Sequence, residues 1–205
     1  DDHALYKHRR AADKRYSLGV MKILAISGSL RANSINSALL RAMCRLAPPE
    51  IEVALFTGLG ELPLFNPDLE GDPPSSVSLF RAQVARSDAL LIASPEYAHG
   101  LTGSIKNGLD WLVSYEPFAY KAVAVLNTSP RAHHADEALR EVLKTMAAVI
   151  VESASITIPL LGSGLDENGM VNTPSVAGAI RESLDNLYEA VALRSASQSA
   201  SFPLR

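Results

Sequence analysis

Short apolar runs alternate with helical segments along most of the chain, and this alternation limits the fold more than any other feature. The clearest run is 89–93, in which every residue is apolar, as expected for a strand buried on both faces of a parallel sheet. Three other strands are predicted to begin at Ile23, Val53 and Lys121, and a fifth strand is predicted within 149–158. Five strands alternating with five helices predict an α/β fold with helices on both faces of an open parallel sheet.

The chain is expected to form one domain, because 205 residues is an ordinary length for a single α/β domain. Residues 1–20 have no sustained apolar face and precede Met21, so we interpret them as a tag or an N-terminal extension. The domain is assigned to 21–193, with its last helix beginning at Thr173-Pro174. The serine-rich segment 194–205 is predicted to be a flexible tail.

Composition excludes several classes of function. With 47% hydrophobic residues and a net charge of −3, neither nucleic acid nor an anionic membrane is expected as a partner. No apolar run reaches the length of a transmembrane helix. The single cysteine, Cys44, lies in a helical pattern and is expected to fill the core. No metal site and no Ser-His-Asp arrangement is predicted, and the lone cysteine fits a cytoplasmic location.

The segment 23–36 has the pattern of a strand, a loop and the start of a helix. The strand ends at Gly28, which permits a tight turn, and Arg31 follows in the loop. A helix start carries unpaired N–H donors and a partial positive charge, which suits a phosphate group. Neither the dinucleotide fingerprint nor the P-loop is present, and an ordinary capped turn is the alternative. The side chains with donors here are Ser29, Ser34 and Asn36.

Two further loops carry polar residues directly after predicted strands, at 94–100 and 128–134. In open α/β sheets, ligands bind at the carboxyl ends of the strands, where the strand order reverses. With the strand order 2-1-3-4-5, both loops would meet the loop at 28–34. This convergence favours a binding site over three unrelated turns.

These residues resemble the NADPH-dependent FMN reductase family. The resemblance covers roughly 21–192 and implies a flavodoxin-like three-layer sandwich with a five-stranded sheet of order 2-1-3-4-5. It also implies bound FMN, NADPH or NADH as electron donor, a small-molecule electron acceptor, and a homodimer or homotetramer. The matching positions are Gly28, Ser29, Leu30, Arg31, Ser34, Asn36, Pro95, Glu96, Tyr97, Gly103, Lys106, Asn107, Asp110 and Trp111.

The resemblance assigns the phosphate of FMN to the first loop, and the isoalloxazine ring and ribityl chain to the second. Catalytic side chains are not expected, because the flavin carries the chemistry. Alternatives remain for Glu96, as a solvated carboxylate, and for Tyr97, as a packing aromatic. The predicted cofactor-binding residues are Ser29, Arg31, Ser34, Ile35, Asn36, Pro95, Glu96, Tyr97, Ala98, Ser129 and Arg131.

The sequence departs from the family pattern in two places. Ala98 stands where the family commonly has asparagine, which removes one polar contact. The third loop, 129–134, contains proline, arginine and two histidines where the family is often glycine-rich. Arg131 could lie near the pyrimidine edge of the flavin, hold the 2′-phosphate of NADPH, or be an exposed residue at a helix start.

The resemblance implies an NAD(P)H oxidoreductase that reduces a flavin, a quinone, an azo compound or a similar small acceptor. One alternative is a non-enzymatic electron carrier of the flavodoxin type. Such carriers are usually more acidic, and they shield the flavin with aromatic residues. A regulatory or structural protein that has lost the flavin is a third reading, which rests on the altered third loop.

Overall fold

The computed structural model describes residues 19–200, with side chains for 19–197. Its parallel strands follow the order β2-β1-β3-β4-β5, and a further strand, β6, pairs with β4. This order confirms the predicted flavodoxin-like arrangement. The strands are β1 (Met21–Ser27), β2 (Ile51–Phe56), β3 (Ala89–Ala93), β4 (Ala122–Asn127), β5 (Val149–Ile150) and β6 (Ile156–Thr157).

The predicted fifth strand is divided into two short pieces. β5 pairs with the first two residues of β4, and β6 pairs with the last two. Between them, the Ser155 hydroxyl accepts a hydrogen bond from Val125 N (3.0 Å) and donates one to Val151 O (2.9 Å). This side chain supplies the acceptor that a continuous strand would have provided, so the chain can turn without leaving Val125 unpaired.

Helices cover both faces of the sheet, as alternate side chains of the strands require. Ile23 and Ala25 of β1 pack into one hydrophobic cluster, whereas Leu24 and Ile26 pack into the other. The first cluster includes side chains of α1, α5 and α6, and the second includes those of α2, α3 and α4. The helices are α1 (Ile35–Leu46), α2 (Ser75–Arg86), α3 (Gly103–Asp110), α4 (His133–Thr145), α5 (Glu167–Asn172) and α6 (Pro174–Ala200).

The last helix begins at Pro174, as predicted, but it continues to Ala200. Residues 194–200, which the sequence assigns to a flexible tail, are therefore helical. The Ser195 and Ser197 hydroxyls donate to the carbonyl oxygens of Val191 and Leu193, one turn earlier, so these serines stay within the helical pattern. Most of the predicted N-terminal extension, 1–18, and the end of the predicted tail, 201–205, lie outside the described residues.

The apolar segment 62–65 packs against α3. Trp111 is fully buried, and its indole N–H donates to Pro63 O at 2.8 Å. Asn107 accepts from Phe65 N (2.8 Å) and donates to Pro63 O (3.0 Å). Trp111 and this segment therefore have partners within one subunit, and Leu64, at 83%, is the exposed side chain among residues 62–65.

Within residues 19–200, no helix combines the length and apolar character that crossing a membrane would need.

Candidate functional site

Three loops meet at the carboxyl edge of the sheet: loop 1 (28–34) after β1, loop 2 (94–102) after β3, and loop 3 (128–132) after β4. Gly28 joins the first two. Its N–H donates to Ala93 O at 2.8 Å, and its carbonyl accepts from the hydroxyls of Thr102 (2.7 Å) and Ser104 (2.9 Å). The backbone of loop 1 is therefore held by the start of α3.

Glycine is required at position 28 because the two loops approach closely. A Cβ at this position would lie 2.8 Å from the Cβ of Ser94 and would also strike its hydroxyl. Any side chain at Gly28 would push loop 2 away from loop 1. The sequence predicts a tight turn at this glycine, and the structure shows in addition a close contact between loops.

The start of α1 presents the donors expected of a phosphate site. Ser34 is in an extended conformation and caps the helix, accepting from Ser37 N at 3.4 Å. Ser29 is buried, and its hydroxyl accepts from Arg31 N at 3.4 Å, which fixes the turn. The Arg31 side chain is exposed. The N–H groups at a helix start have no acceptor within the helix, so those of Ile35 and Asn36 add to this set.

Asn36 has a second role in the site. Its side chain is buried, and its Oδ1 accepts from the Thr128 hydroxyl at 3.2 Å. The side chain therefore ties the start of α1 to loop 3, and only its backbone N–H belongs to the donor set at the helix start. Ile35 is half-buried and packs against the core.

Loop 2 contains a tight two-residue turn. Tyr97 and Gly100 exchange backbone hydrogen bonds of 3.1 and 3.0 Å. The residues between them, Ala98 and His99, have φ values of 51° and 57°, which residues other than glycine and asparagine adopt rarely. Tyr97 is 55% exposed, so it is not a packing aromatic. Pro95 is half-buried at the start of the loop.

Glu96 points towards α4. One carboxylate oxygen accepts from Ala135 N at 2.9 Å, and the other lies 3.4 Å from His99 Nδ1. The hydrogen bond from Ala135 is the main reason that the pKa of Glu96 is lowered from its ordinary value, with a smaller contribution from the nearby histidines. The side chain is only 14% exposed, so Glu96 is not a solvated loop carboxylate.

Loop 3 is braced by its own side chains. Asn127 accepts from Ser129 N at 2.9 Å and donates to Ala132 O at 3.2 Å. The buried Ser129 hydroxyl accepts from Arg131 N at 3.4 Å, which repeats the arrangement of Ser29 and Arg31 in loop 1. Arg131 is exposed, as Arg31 is. Two arginines therefore flank the site, each on a serine-braced turn.

Sequence reasoning missed four residues that hold the loops together: Thr102, Ser104, Asn127 and Thr128. Thr102 caps α3, accepting from Ile105 N at 3.3 Å, and a threonine before a helical segment was a usable signal. Ser104 and Thr128 act over 76 and 92 positions, which no local pattern reports, whereas Asn127 bonds to residues within five positions of it.

The donor set at loop 1 fits a phosphate monoester. Hydroxyls, backbone N–H groups and one exposed guanidinium surround a helix start, where the helix dipole also favours an anion. Loops 2 and 3 lie beside it at the same edge of the sheet. FMN has a phosphate at one end and a planar ring at the other. Its phosphate matches the donors at loop 1, and its ring matches the neighbouring loops 2 and 3.

Comparisons with known proteins agree with this reading. The family model of NADPH-dependent FMN reductase matches residues 21–160. An NAD(P)H-dependent FMN reductase of Pseudomonas aeruginosa is 42% identical over 113 residues, an alignment that covers 53% of this chain and 60% of that protein. A 2-hydroxy-1,4-benzoquinone reductase of Burkholderia sp is 33% identical over 157 residues, covering 74% of this chain and 85% of that protein.

A solved structure extends the likeness to three dimensions. The flavoenzyme NAD(P)H:(acceptor) oxidoreductase FerB from Paracoccus denitrificans superposes with a TM-score of 0.72 and 27% identity, covering 84% of this chain and 97% of that one. The family model covers well over half of the chain, and the strand order is the one that the resemblance implied. The chain therefore belongs to the NADPH-dependent FMN reductase family.

Proposed function

We propose that the chain is an FMN-dependent NAD(P)H oxidoreductase that passes electrons to a small acceptor, with quinones as the main class. The observation that carries this proposal is the meeting of three loops at the start of α1, where Gly28 and Asn36 join them. Family membership supplies the flavin and the nicotinamide cofactor. The relatives named as quinone reductases support the acceptor class.

In this proposal, loop 1 holds the phosphate of FMN. Arg31 supplies a charge-assisted contact, and the hydroxyls of Ser29 and Ser34 and the N–H groups of Ile35 and Asn36 supply hydrogen bonds. Because Ser29 is itself fixed by Arg31 N, the turn is organised before the ligand arrives. This organisation lowers the entropic cost of binding.

Loops 2 and 3 receive the ring and the ribityl chain. Bound FMN would supply the hydride and electron chemistry between NAD(P)H and the acceptor. The residues of the chain bind and orient: Pro95 to Ala98 line one side, and Ser129 and Arg131 line the other. Tyr97 is exposed, so its ring can border the face of the flavin at which the nicotinamide and the acceptor bind in turn.

A homodimer or homotetramer in the cytoplasm completes the proposal. The exposed Leu64 supports the assembly, because it lies on the packed segment beside Trp111 and would be covered by a second subunit. The single cysteine, half-buried on α1, is compatible with a reducing compartment.

The test begins with the visible spectrum of the purified protein, before and after addition of FMN. NADPH or NADH is then added without oxygen, followed by a quinone. We expect a yellow protein that bleaches with the nicotinamide cofactor and recovers its colour with the quinone. A colourless protein that takes up no FMN would reject the proposal, and a yellow protein that fails to bleach would favour a flavodoxin-type carrier.

A further inference from the structure

The carboxylate of Glu96 is bound to a helix that begins 37 positions later, at His133. It belongs to loop 2, yet one of its oxygens accepts from Ala135 N, in the first turn of α4, at 2.9 Å. The contact crosses the groove between loop 2 and the start of α4, which follows directly on loop 3. A side chain predicted to line the flavin is therefore already engaged within the protein.

α4 depends on this contact because it lacks a cap of its own. Its N-cap residue, Ala132, has no side-chain oxygen and makes no capping hydrogen bond. The first turn also begins with His133 and His134 rather than with the acidic residues that the helix dipole favours, and its one acidic residue, Asp136, is paired with Arg140 at 2.6 Å. The carboxylate of Glu96 therefore does the work of a missing local cap.

Loop 2 depends on the same contact. The positive φ values of Ala98 and His99 are costly for L-residues and persist only where the surroundings fix them. His99 Nδ1 lies 3.4 Å from Glu96, and its ring meets the edge of His134 with the centroids 4.5 Å apart. The tip of loop 2 is thus held against α4 at two points, one polar and one aromatic.

We propose that Glu96 is a positioning residue: by capping α4 it fixes loop 2 against loop 3 and so shapes the groove that receives the isoalloxazine ring. The proposal rests on the proposed function, because it assumes that the ring lies between these loops. Glu96 acts through the backbone of loop 2 and through His99, and its carboxylate does not contact the flavin. Ring affinity and the stability of the first turn of α4 are then linked.

The test compares Glu96→Ala with Glu96→Gln in the flavin-loaded protein and in the free protein. The glutamine amide oxygen can still accept from Ala135 N, whereas alanine cannot. Hydrogen exchange at the Ala135 amide, measured by NMR, reports the cap. The dissociation constant of riboflavin reports the ring groove, because riboflavin lacks the phosphate that loop 1 would hold.

We expect Glu96→Ala to speed exchange at Ala135 and to raise the riboflavin dissociation constant by about tenfold, the order of effect of losing one cap. FMN affinity should fall by the same factor. Glu96→Gln should keep the protection of Ala135 and most of the affinity. Glu137→Ala, which removes an exposed carboxylate from the same helix, is the matched control and should change neither measurement.

Two results would overturn the proposal. One is riboflavin affinity that survives Glu96→Ala although Ala135 has lost its protection. The other is affinity that is lost in Glu96→Gln although Ala135 stays protected, since that pattern marks a direct contact of the carboxylate with the flavin. Exchange at core amides such as Leu143 verifies that each variant is folded. If the unmodified chain binds no flavin, the proposed function itself fails, which is a different outcome.

Discussion

At the scale of single residues, Arg31 is the side chain on which we expect phosphate binding to depend most. It is exposed at a turn that Ser29 fixes, so it can contact a phosphate without displacing a protein partner. One charge-assisted hydrogen bond contributes about 1.5–3 kcal/mol. Arg31→Ala should therefore weaken FMN binding by roughly ten- to a hundredfold, as measured by fluorescence titration.

Riboflavin is the control ligand for this variant, since it lacks the phosphate. It should bind Arg31→Ala and the unmodified protein alike, and Arg31→Lys should recover part of the FMN affinity because it keeps the charge but loses the planar fork. FMN affinity that is unchanged in Arg31→Ala would contradict the assignment of loop 1.

Arg131 occupies the equivalent turn of loop 3 and is predicted to act on the flavin ring. Two-electron reduction adds negative charge to the ring, and a nearby cation stabilises that product more than the oxidised form. Arg131→Ala should leave FMN bound and lower its midpoint potential. A stabilisation of about 1 kcal/mol corresponds to about 20 mV for two electrons.

Anaerobic reduction by both nicotinamide cofactors separates the roles of Arg131. Slower reduction by NADPH and by NADH, with a lower potential, indicates the electrostatic role. A loss confined to NADPH indicates that Arg131 holds the 2′-phosphate. Unchanged rates and an unchanged potential would mean that Arg131 is only an exposed residue at the start of α4.

At the scale of elements, α4 lacks the residues that favour a helix terminus at both of its ends. Its C-terminus forms the two hydrogen bonds of a Schellman motif, from Ala148 N to Leu143 O and from Ala147 N to Lys144 O, each 2.9 Å. Ala147 has a φ of 59°, a conformation that glycine adopts without strain. Ala147→Gly should stabilise the protein by about 1 kcal/mol, raising Tm by roughly 2–4 °C.

Ala148→Gly is the matched control, because Ala148 is not among the described residues with positive φ. It should give no gain in Tm, since it adds backbone entropy to the unfolded chain without relieving strain. Calorimetry of both variants tests the argument. A Tm that falls in Ala147→Gly would show that the alanine methyl group contributes more through packing than its conformation costs.

The other end of α4 makes stability depend on pH through Glu96. The hydrogen bond from Ala135 lowers the pKa of Glu96 in the folded protein, so the ionised carboxylate stabilises that state. This stabilisation is complete above the unfolded pKa of about 4.3 and is lost as the pH falls through the lower folded value. An NMR titration of the Glu96 carboxyl should give a midpoint below that of the same group in urea, and a midpoint at or above it would contradict the cap.

At the scale of the whole molecule, the sequence predicts the sheet well, because a buried strand requires a short run of apolar residues that can be recognised locally. The fully apolar run 89–93 becomes β3 with the predicted bounds, and Pro174 starts the last helix as predicted. Serines make the structure depart from the prediction in two opposite ways. Ser155 replaces a ladder acceptor and divides the edge strand, while Ser195 and Ser197 donate within α6 and prolong it.

The site was predictable as a set of loops but not as a set of contacts. Gly28, Arg31 and the polar residues around them mark loop 1 by residue type alone. The partners of Glu96 and Asn36 lie 39 and 92 positions away and emerge only when the sheet brings the loops together. The same holds for Trp111, whose acceptor is Pro63, 48 positions away.

Leu64 is 83% exposed, although its neighbours Pro63 and Phe65 are bound to Trp111 and Asn107, so a rigid segment presents an apolar side chain to solvent. An apolar side chain held in this way can pack against a second subunit, and most soluble oligomers are homo-oligomers. We expect light scattering to give a dimer or tetramer mass at micromolar concentration, and Leu64→Ser to weaken that assembly. Leu193→Ser removes a leucine that is 55% exposed on α6 and serves as the control, which should keep the mass of the unmodified protein. A monomer mass for the unmodified chain would contradict the prediction.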